Sequence, residues 1–310
     1  MSSSRGSSTL PLPTLADSDL VVAPPEGGAG AWAGAPSALL AGDTFYLAYR
    51  LRLPIREGGR GFRNVVARST DGVRFEELAW LDRERFGAES LERPALVVTP
   101  DGRWRVYVSC ATPGTKHWRV DLVEAAIPEE LTTAPPATVL PGSDAVGVKD
   151  PVLLHDGERW HLWASVHPLE RWDDADRMTT EYATSPDGVS WSWHGTALAG
   201  RPGEWDARGV RVSAVLTAGD TVEASYDGRA TAEQNWEELT GLATGTVGAD
   251  GLVGRLTATA GEPVRSPYGR GGLRYLSVVP LSDGSSRVYY ELTRADGAHE
   301  LRTELHERAR

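Results

Sequence analysis

The stretch GVKDPVLLHDGERWHLWAS, residues 147–165, decides the predicted fold. It predicts an apolar strand, a tight Asp-Gly turn and a second strand in which apolar and polar residues alternate. Alternation with a period of two on both sides of such a turn indicates a β-hairpin. Lys149, Asp150 and Pro151 stand at the front of this hairpin. The proline is expected to hold Asp150 extended, with its side chain pointing inward.

The same layout occurs five times in the chain. Each copy has an apolar strand, a turn that contains glycine, and an alternating second strand. The copies begin at Ala35, Arg93, Asp150, Val212 and Tyr275. The turn glycines, 55 to 65 residues apart, are Gly42, Gly102, Gly157, Gly219 and Gly284. This spacing leaves room for four strands and one long loop in each repeat, and it predicts an all-β fold, a five-bladed β-propeller.

The predicted propeller is a single domain over residues 19–310, preceded by a flexible, serine-rich tail over residues 1–18. An apolar strand over residues 19–24 precedes the first repeat. No strand follows AHELRTELHE, which ends the last repeat from Ala298 onward. The N-terminal strand is therefore expected to supply the outer strand of the last blade and to close the ring.

Composition excludes several classes of function. The net charge of -11 is scattered along the chain, which argues against a nucleic-acid partner, because such proteins need a basic face. Cys110 is the only cysteine, so neither an intrachain disulfide nor a thiolate metal cluster can form. No apolar run is long enough to span a bilayer, and the N-terminus lacks the apolar region of a signal peptide. We expect a cytoplasmic protein with no membrane partner, and the oligomeric state is left open.

Charged residues recur at the pocket end of the inner strands. In a propeller these strands line the axis, and the loops at one end form a pocket. The repeats align on the positions of Pro36, Pro94 and Pro151. The two residues before this position are Gly34 and Ala35, Glu92 and Arg93, Lys149 and Asp150, Arg211 and Val212, and Arg274 and Tyr275. The residues that close the second strands are Arg50, Cys110, His167, Asp227 and Glu291.

The fourth repeat adds aromatic and charged residues to the same region. WDARGVRVSAVL and EASYDGRATAEQNWEELTG contain Trp205, Asp206, Arg208, Arg211, Tyr226 and Asp227. Together with Trp32, the aromatic residues can stack on a sugar face, and aspartate or arginine can bind hydroxyls. With Arg50, Lys149 and Arg274, the arginines of this repeat give more positive charge than binding of a neutral sugar requires. Such a set of cations suits a ligand with a carboxylate, sulfate or phosphate group. The alternative is that the arginines form ion pairs between blades.

Two hairpins add a family resemblance. STDGVRFEE from Ser69 and SPDGVSWSW from Ser185 fit S-x-D-G-x-x-aromatic, which resembles the Asp-box of propeller glycosidases. The chain looks like the propeller clan of glycoside hydrolases, chiefly families 43, 32 and 130, over about residues 19–307. Lys149, Asp150 and Pro151 resemble the Arg-Asp-Pro of family 32, and Asp150 followed by proline resembles the Asp-Pro of family 43.

The resemblance implies catalytic roles. Glu92, two residues before a proline, resembles the general acid of family 43, and Asp150 would orient it and tune its pKa. The chain departs from family 43 in two ways: GAWAGAP of the first repeat has no carboxylate for the general base, and the glutamate precedes the Asp-Pro. The base would have to be Asp227, Asp206 or Glu291.

The resulting prediction is an enzyme that hydrolyses a glycosidic bond in a small carbohydrate or glycosylated metabolite, with inversion. A phosphorylase, as in family 130, ranks below it. A non-hydrolytic propeller that binds or transforms a small anionic metabolite is the other alternative. The predicted substrate-binding residues are Trp32, Arg50, Arg93, Lys149, His167, Trp205, Arg208, Arg211, Tyr226, Arg274, Tyr275 and Glu291. No cofactor is required. His167 could bind an axial ion, as in some relatives, but the histidines lack metal-ligand spacing.

Overall fold

The computed structural model describes residues 10–57 and 59–307. In this part of the chain the fold is all-β, with 20 strands and five short 3-10 turns. The turns are Ile55–Glu57, Arg83–Phe86, Pro128–Thr132, Trp172–Asp174 and Ala232–Gln234. The described residues contain no helical segment with the length and apolar character that a bilayer crossing requires.

Four groups of antiparallel strands follow the repeats in order. Group 1 is β2 (Trp32–Ala41), β3 (Thr44–Leu53), β4 (Arg60–Ser69) and β5 (Glu76–Asp82). Group 2 is β6 (Leu91–Val98), β7 (Trp104–Ala111), β8 (Trp118–Ala125) and β9 (Ala137–Leu140). Group 3 is β10 (Val146–His155), β11 (Trp160–Pro168), β12 (Thr179–Ser185) and β13 (Ser192–Leu198). Group 4 is β14 (Gly209–Ala218), β15 (Thr221–Arg229), β16 (Leu239–Thr246) and β17 (Thr257–Ala258).

The fifth group combines both ends of the chain. It contains β18 (Leu273–Pro280), β19 (Ser286–Thr293) and β20 (His299–His306), and β1 (Asp19–Val22) pairs antiparallel with β20. A single parallel pair, Trp32 with His299, joins β20 to β2, so groups 1 and 5 form one continuous sheet.

Apolar side chains pack between successive groups. Five clusters of buried residues lie between groups 1 and 2, 2 and 3, 3 and 4, 4 and 5, and 5 and 1. The alternation of strand residues explains this arrangement, because each internal strand presents one face to the preceding group and the other to the next. The inner strands β2, β6, β10, β14 and β18 begin at the same end of the molecule, and the candidate site lies there.

The segment before β1 contacts the strand groups. Leu10 is 1% exposed and packs in the cluster between groups 4 and 5. Its N–H donates to Glu223 at 2.6 Å, and the N–H groups of Thr14 and Leu15 donate to the Glu304 carboxylate at 2.9 Å. Buried apolar surface and these hydrogen bonds thus join residues 10–15 to the strand groups, and the flexible tail over residues 1–18 stays a prediction. Residues 1–9 lie outside the described residues.

Each inner strand carries a bulge near its start. The pairing register with the second strand shifts at equivalent places, for example between Lys149 and Val152. Asp150 has φ +53°, so the expected extended conformation is wrong at this residue. Bulges place a residue in the left-handed region and redirect its side chain, and aspartate tolerates that region better than most residues.

Candidate functional site

A cavity of about 370 Å³ opens at the end where the inner strands begin. We call it the axial cavity. Its wall contains seven cationic side chains and four carboxylates. The cationic residues are Arg52, Arg60, Lys116, Lys149, Arg211, Arg229 and Arg274, and the acidic residues are Glu89, Glu92, Asp176 and Glu238. The wall therefore carries more positive than negative charge although the whole protein is acidic.

The buried residues beneath the axial cavity form its floor, and Arg211 on β14 binds several partners on one side of it. Its Nη2 donates to Asp227 at 2.9 Å, and its Nη1 donates to Asp150 at 3.2 Å and to the Tyr275 hydroxyl at 3.1 Å. Asp227 also accepts from the Tyr275 N–H at 2.9 Å and from Thr240 at 3.1 Å. Both carboxylates are fully buried. Each is held as part of a saturated ion-pair network, which favours a structural role.

The pKa values of these two carboxyl groups differ in direction. Burial raises the pKa of Asp227, and Arg211 only partly offsets this effect. Burial also acts to raise the pKa of Asp150, but Lys149 and Arg211 together hold it below the ordinary value. Asp150 is therefore an anion that keeps neighbouring cations charged.

Glu291 fills the other side of the floor. It accepts from Arg274 at 2.7 Å, from Arg50 at 2.9 Å and from His299 at 2.7 Å. A Cβ atom on Gly34 would lie 2.1 Å from a Glu291 carboxylate oxygen. The glycine at the start of the first repeat therefore makes room for Glu291, which explains why no side chain can project from this position.

Glu92 is the acidic residue that connects this network to the axial cavity. Its Oε2 accepts from Arg50 and lies 3.5 Å from the Tyr275 hydroxyl, while its Oε1 lies 4.0 Å from Arg52 Nη1. Its side chain is 7% exposed. Glu238, in contrast, accepts from Arg229 and from Arg274, the latter at 2.6 Å, and this environment holds its pKa below the ordinary value despite burial.

Arg52 on β3 differs from the other buried arginines. It donates no hydrogen bond to any described residue, and its Nε is buried without a partner. The guanidinium lies over the ring of Trp32 at 4.0 Å and near that of Trp236 at 5.1 Å. Burial, together with the nearby cations Arg50 and Arg274, lowers its pKa to about 9. Stacking fixes the side chain, so a charged fork of donors lies at the cavity wall with no carboxylate in hydrogen-bond range.

Lys149 and His167 form the wall contributed by group 3. The Lys149 Nζ lies 3.7 Å from Asp150 and 4.6 Å from the centre of the Trp118 ring, and burial lowers its pKa to about 8. His167 Nδ1 donates to the Ala175 carbonyl at 2.7 Å, and its Nε2 is buried without a partner. Burial and Lys149 lower the pKa of His167 to about 3, so the ring is neutral and offers Nε2 as an acceptor.

The predicted site residues fall into three sets. Those that line the axial cavity are Glu92, Lys149, His167, Arg211, Arg274 and Tyr275. Those buried in or beside the network beneath it are Trp32, Arg50, Asp150, Asp227 and Glu291. Those that lie elsewhere are Arg93, Trp205, Asp206, Arg208 and Tyr226.

The residues in the third set have other partners. Arg93 crosses the axis and donates to the carbonyls of Pro36, Ser213 and Leu276, at the far side of the floor. Asp206 accepts from Arg201 at 2.9 Å and from the hydroxyl of Tyr226 at 2.8 Å, and Trp205 stacks on Tyr226. Arg208 holds Asp176 and the Asp173 carbonyl. These placements weigh against Asp206 as a general base, because it does not reach the axial cavity.

Several wall residues were not predicted from the sequence, among them Arg52, Lys116, Asp176, Trp236 and Glu238. Arg52 had a usable signal, since it stands two residues after Arg50 and strand residues two apart share a face. The others stand in loops or at a strand edge, where no periodic pattern indicates their direction.

No cluster of three or more histidine, cysteine, aspartate or glutamate side chains within residues 10–57 and 59–307 is placed to hold a metal ion. The axial ion predicted at His167 stays a prediction.

Several solved structures of glycoside hydrolases and phosphorylases have a similar fold. No protein-family model and no curated protein matches the sequence. Among solved structures, a thermostable family-43 glycoside hydrolase has a TM-score of 0.65 and 15% identity, covering 93% of this chain and 91% of that chain. The β-1,2-mannobiose phosphorylase of Listeria innocua has a TM-score of 0.64 and 15% identity, covering 91% and 92%. A glycoside hydrolase of the GH130 family of mannoside phosphorylases, which targets β-1,2-mannosidic linkages in Candida mannan, has a TM-score of 0.63 and 14% identity, covering 90% and 84%.

These neighbours belong to the five-bladed β-propeller clan of glycoside hydrolases. At such low identity the likeness shows the fold alone.

Proposed function

We propose that the protein cleaves a glycosidic bond of a small carbohydrate by phosphorolysis. Glu92 would protonate the leaving oxygen, and the cations of the axial cavity would hold the attacking phosphate. The observation that carries this proposal is Arg52, a stacked and buried guanidinium without an anionic partner in hydrogen-bond range. Arginine in this arrangement suits a phosphate, which accepts its donors in pairs.

Lys149 and His167 support the same assignment. The ammonium group of Lys149 is buried against the cavity with one carboxylate at 3.7 Å. The unpartnered Nε2 of neutral His167 can accept a hydrogen bond from a phosphate hydroxyl or a sugar hydroxyl. A cavity that combines a neutral acceptor with cations that donate no hydrogen bond to a carboxylate fits hydrogen phosphate better than it fits water alone.

The proposed reaction balances without a protein base. A phosphate oxygen bonds to the anomeric carbon as the glycosidic C–O bond breaks, and the leaving oxygen takes a proton from Glu92. Hydrogen phosphate supplies that proton to Glu92 when it binds, so Glu92 ends the reaction as a carboxylate and the products are a glycosyl phosphate and a free hydroxyl. Glu92 is ion-paired with Arg50, so the proton that it passes to the leaving oxygen comes from the bound phosphate.

Hydrolysis remains the second candidate because of one further carboxylate. Glu89 stands at the rim of the axial cavity with its side chain 35% exposed, held by Arg60 at 3.2 Å and by the Gly114 N–H at 3.1 Å. A carboxylate opposite the acid can activate water in an inverting mechanism. In that case cleavage would proceed without phosphate.

We also propose that the five strand groups are the blades of a closed five-bladed propeller. The support is the apolar cluster between every successive pair of groups, including the pair formed by groups 5 and 1. The antiparallel pairing of β1 with β20 would make β1 the closing strand of the last blade.

The test is sugar release from a panel of aryl furanosides, aryl pyranosides and short oligosaccharides, with and without phosphate. We expect cleavage only with phosphate, and a loss of about a hundredfold or more in Glu92→Gln, because the variant cannot donate the proton. Glu158→Gln is the matched control, since Glu158 is exposed in the β10–β11 turn. Circular dichroism verifies the fold of both variants. Full activity in Glu92→Gln would remove the acid assignment.

A further inference from the structure

A second groove adjoins the axial cavity. It has a volume of about 440 Å³ and lies between the β7–β8 loop, the segment before β10 and the loop after β11. Thr112, His117, Ser143, Asp144, Leu169 and Trp172 contribute to its wall. The two spaces share Thr115, Lys116, Trp172 and Ala175, so a molecule bound in the axial cavity can continue into this groove, which we call the Trp172 groove.

Trp172 is unusually exposed for a residue on a well-anchored loop. It is 63% exposed, whereas the loop that carries it is held from several sides. Arg208 donates to the Asp173 carbonyl and the Asp176 carboxylate at 2.8 Å, Arg229 donates to the Asp176 carbonyl at 2.5 Å, and His167 donates to the Ala175 carbonyl. The indole is therefore an exposed apolar platform in a fixed position, which lowers the ordering cost of binding.

The chemistry of the groove differs from that of the axial cavity. Lys116 and Asp144 give the groove one cation and one carboxylate, and the Lys116 Nζ lies 4.6 Å from the centre of the Trp172 ring. Two threonine hydroxyls, one serine hydroxyl and the His117 imidazole supply further donors and acceptors. An aromatic face beside one cation, one carboxylate and several hydroxyl groups has no surplus of charge and suits an uncharged, hydroxylated ring.

We propose that the Trp172 groove binds an uncharged sugar unit of the substrate, next to the unit cleaved in the axial cavity. The substrate is then an oligosaccharide, or a glycoside with a sugar on its far side, and Trp172 selects for chain length. This inference deepens the proposed function and rests on it for the kinetic test only, because binding to the groove can be measured without cleavage.

The kinetic test compares substrates of increasing length in Trp172→Ala. We expect kcat/KM to fall about tenfold for oligosaccharides that extend into the groove and to stay within about twofold for the shortest substrate cleaved. Trp193→Ala is the matched control, since Trp193 is 44% exposed on the outer strand β13. An equal loss at every length, or no loss at any length, would overturn the inference.

A binding test separates this inference from the proposed function. Calorimetry with neutral manno-, gluco- and xylo-oligosaccharides would compare the wild type with Trp172→Ala and Trp193→Ala, in the absence of phosphate. Binding weakened about tenfold in Trp172→Ala alone would support the groove even if no glycoside were cleaved, and the cleavage assignment would then fail separately. If no oligosaccharide of the panel binds to the wild type, the groove is not a sugar site.

Discussion

Arg50 and Arg52 stand two residues apart on β3, yet their surroundings differ. Arg50 donates to Glu92 and Glu291 and is fully buried, so its charge is neutralised inside the network. Arg52 lies against tryptophan rings and has no carboxylate closer than 4.0 Å. The same residue type therefore serves as a structural cation at one position and as a candidate anion ligand at the other.

Replacing Arg52 with lysine tests this distinction. Lysine keeps the charge but loses the planar fork and the stacking, so we expect the KM for phosphate to rise about tenfold while the melting temperature changes little. Steady-state kinetics at varied phosphate concentration measures this. Arg74→Lys is the control, because the Arg74 side chain is 89% exposed. An unchanged KM for phosphate in Arg52→Lys would remove Arg52 from the phosphate site.

The charge of Lys149 should make the KM for phosphate depend on pH. Its pKa of about 8 means that the side chain is charged below that pH and neutral above it. The axial cavity therefore loses a positive charge as pH rises through 8, and we expect the KM for phosphate to increase about tenfold between about pH 7 and pH 9. Arginine at this position stays charged, so Lys149→Arg should remove the increase centred near pH 8 and leave only the one near pH 9, where Arg52 loses its charge. A flat profile in the wild type would contradict the role of Lys149.

The sequence indicated which charged residues meet at the axial cavity but not which of them form ion pairs with one another. Aligned repeats identified Glu92, Lys149, Arg211 and Arg274 as residues that meet at one end of the molecule, and all four line the axial cavity. Nothing in the sequence indicated that Glu238 would bind both Arg229 and Arg274. Such pairs join residues from different loops and strands, and their geometry depends on the complete fold.

At the scale of the strands, the turns were the most predictable feature. Each of the five turn glycines lies between the first and second strand of its group with a positive φ. Glycine adopts this conformation at little cost, so the sequence pattern was specific. The bulges were not predicted, because the proline after Asp150 predicted an extended conformation and Tyr275 is not a residue that usually signals a left-handed one.

The N-terminal segment provides a test of stability at this scale. Leu10 is 1% exposed between groups 4 and 5, whereas Leu20 on β1 is 47% exposed. We expect Leu10→Ala to lower the free energy of unfolding by about 2–3 kcal/mol, because it removes buried apolar surface and leaves a cavity. Leu20→Ala should change it by less than about 0.5 kcal/mol. Urea denaturation measures both, and equal effects would show that residues 10–15 do not stabilise the fold.

In the whole molecule one supersecondary unit occurs five times, and the first strands of the five units begin at a charged site. The outer parts of the groups pack through apolar clusters, which a period-two pattern encodes directly. The centre holds buried ion pairs that are costly to desolvate and would be destabilised by losing a partner. The wall of the axial cavity nevertheless has more cationic than acidic residues. Binding of an anion explains this excess, whereas stability alone does not.

Binding of phosphate should also stabilise the whole protein. A ligand that binds only the folded state at about a hundred times its Kd adds roughly 2.7 kcal/mol, so inorganic phosphate should raise the melting temperature of the wild type. Sodium chloride at matched ionic strength is the control. Equal shifts from both salts would point to screening of charge instead of a bound phosphate.

Phosphorus NMR tests phosphorolysis most directly, in a reaction mixture that contains the protein, inorganic phosphate and the glycoside found active in the panel. We expect the inorganic phosphate signal to fall and a glycosyl phosphate signal to appear in equal amount, with neither change in Glu92→Gln. Release of free sugar while the phosphate signal stays constant would contradict phosphorolysis and establish hydrolysis.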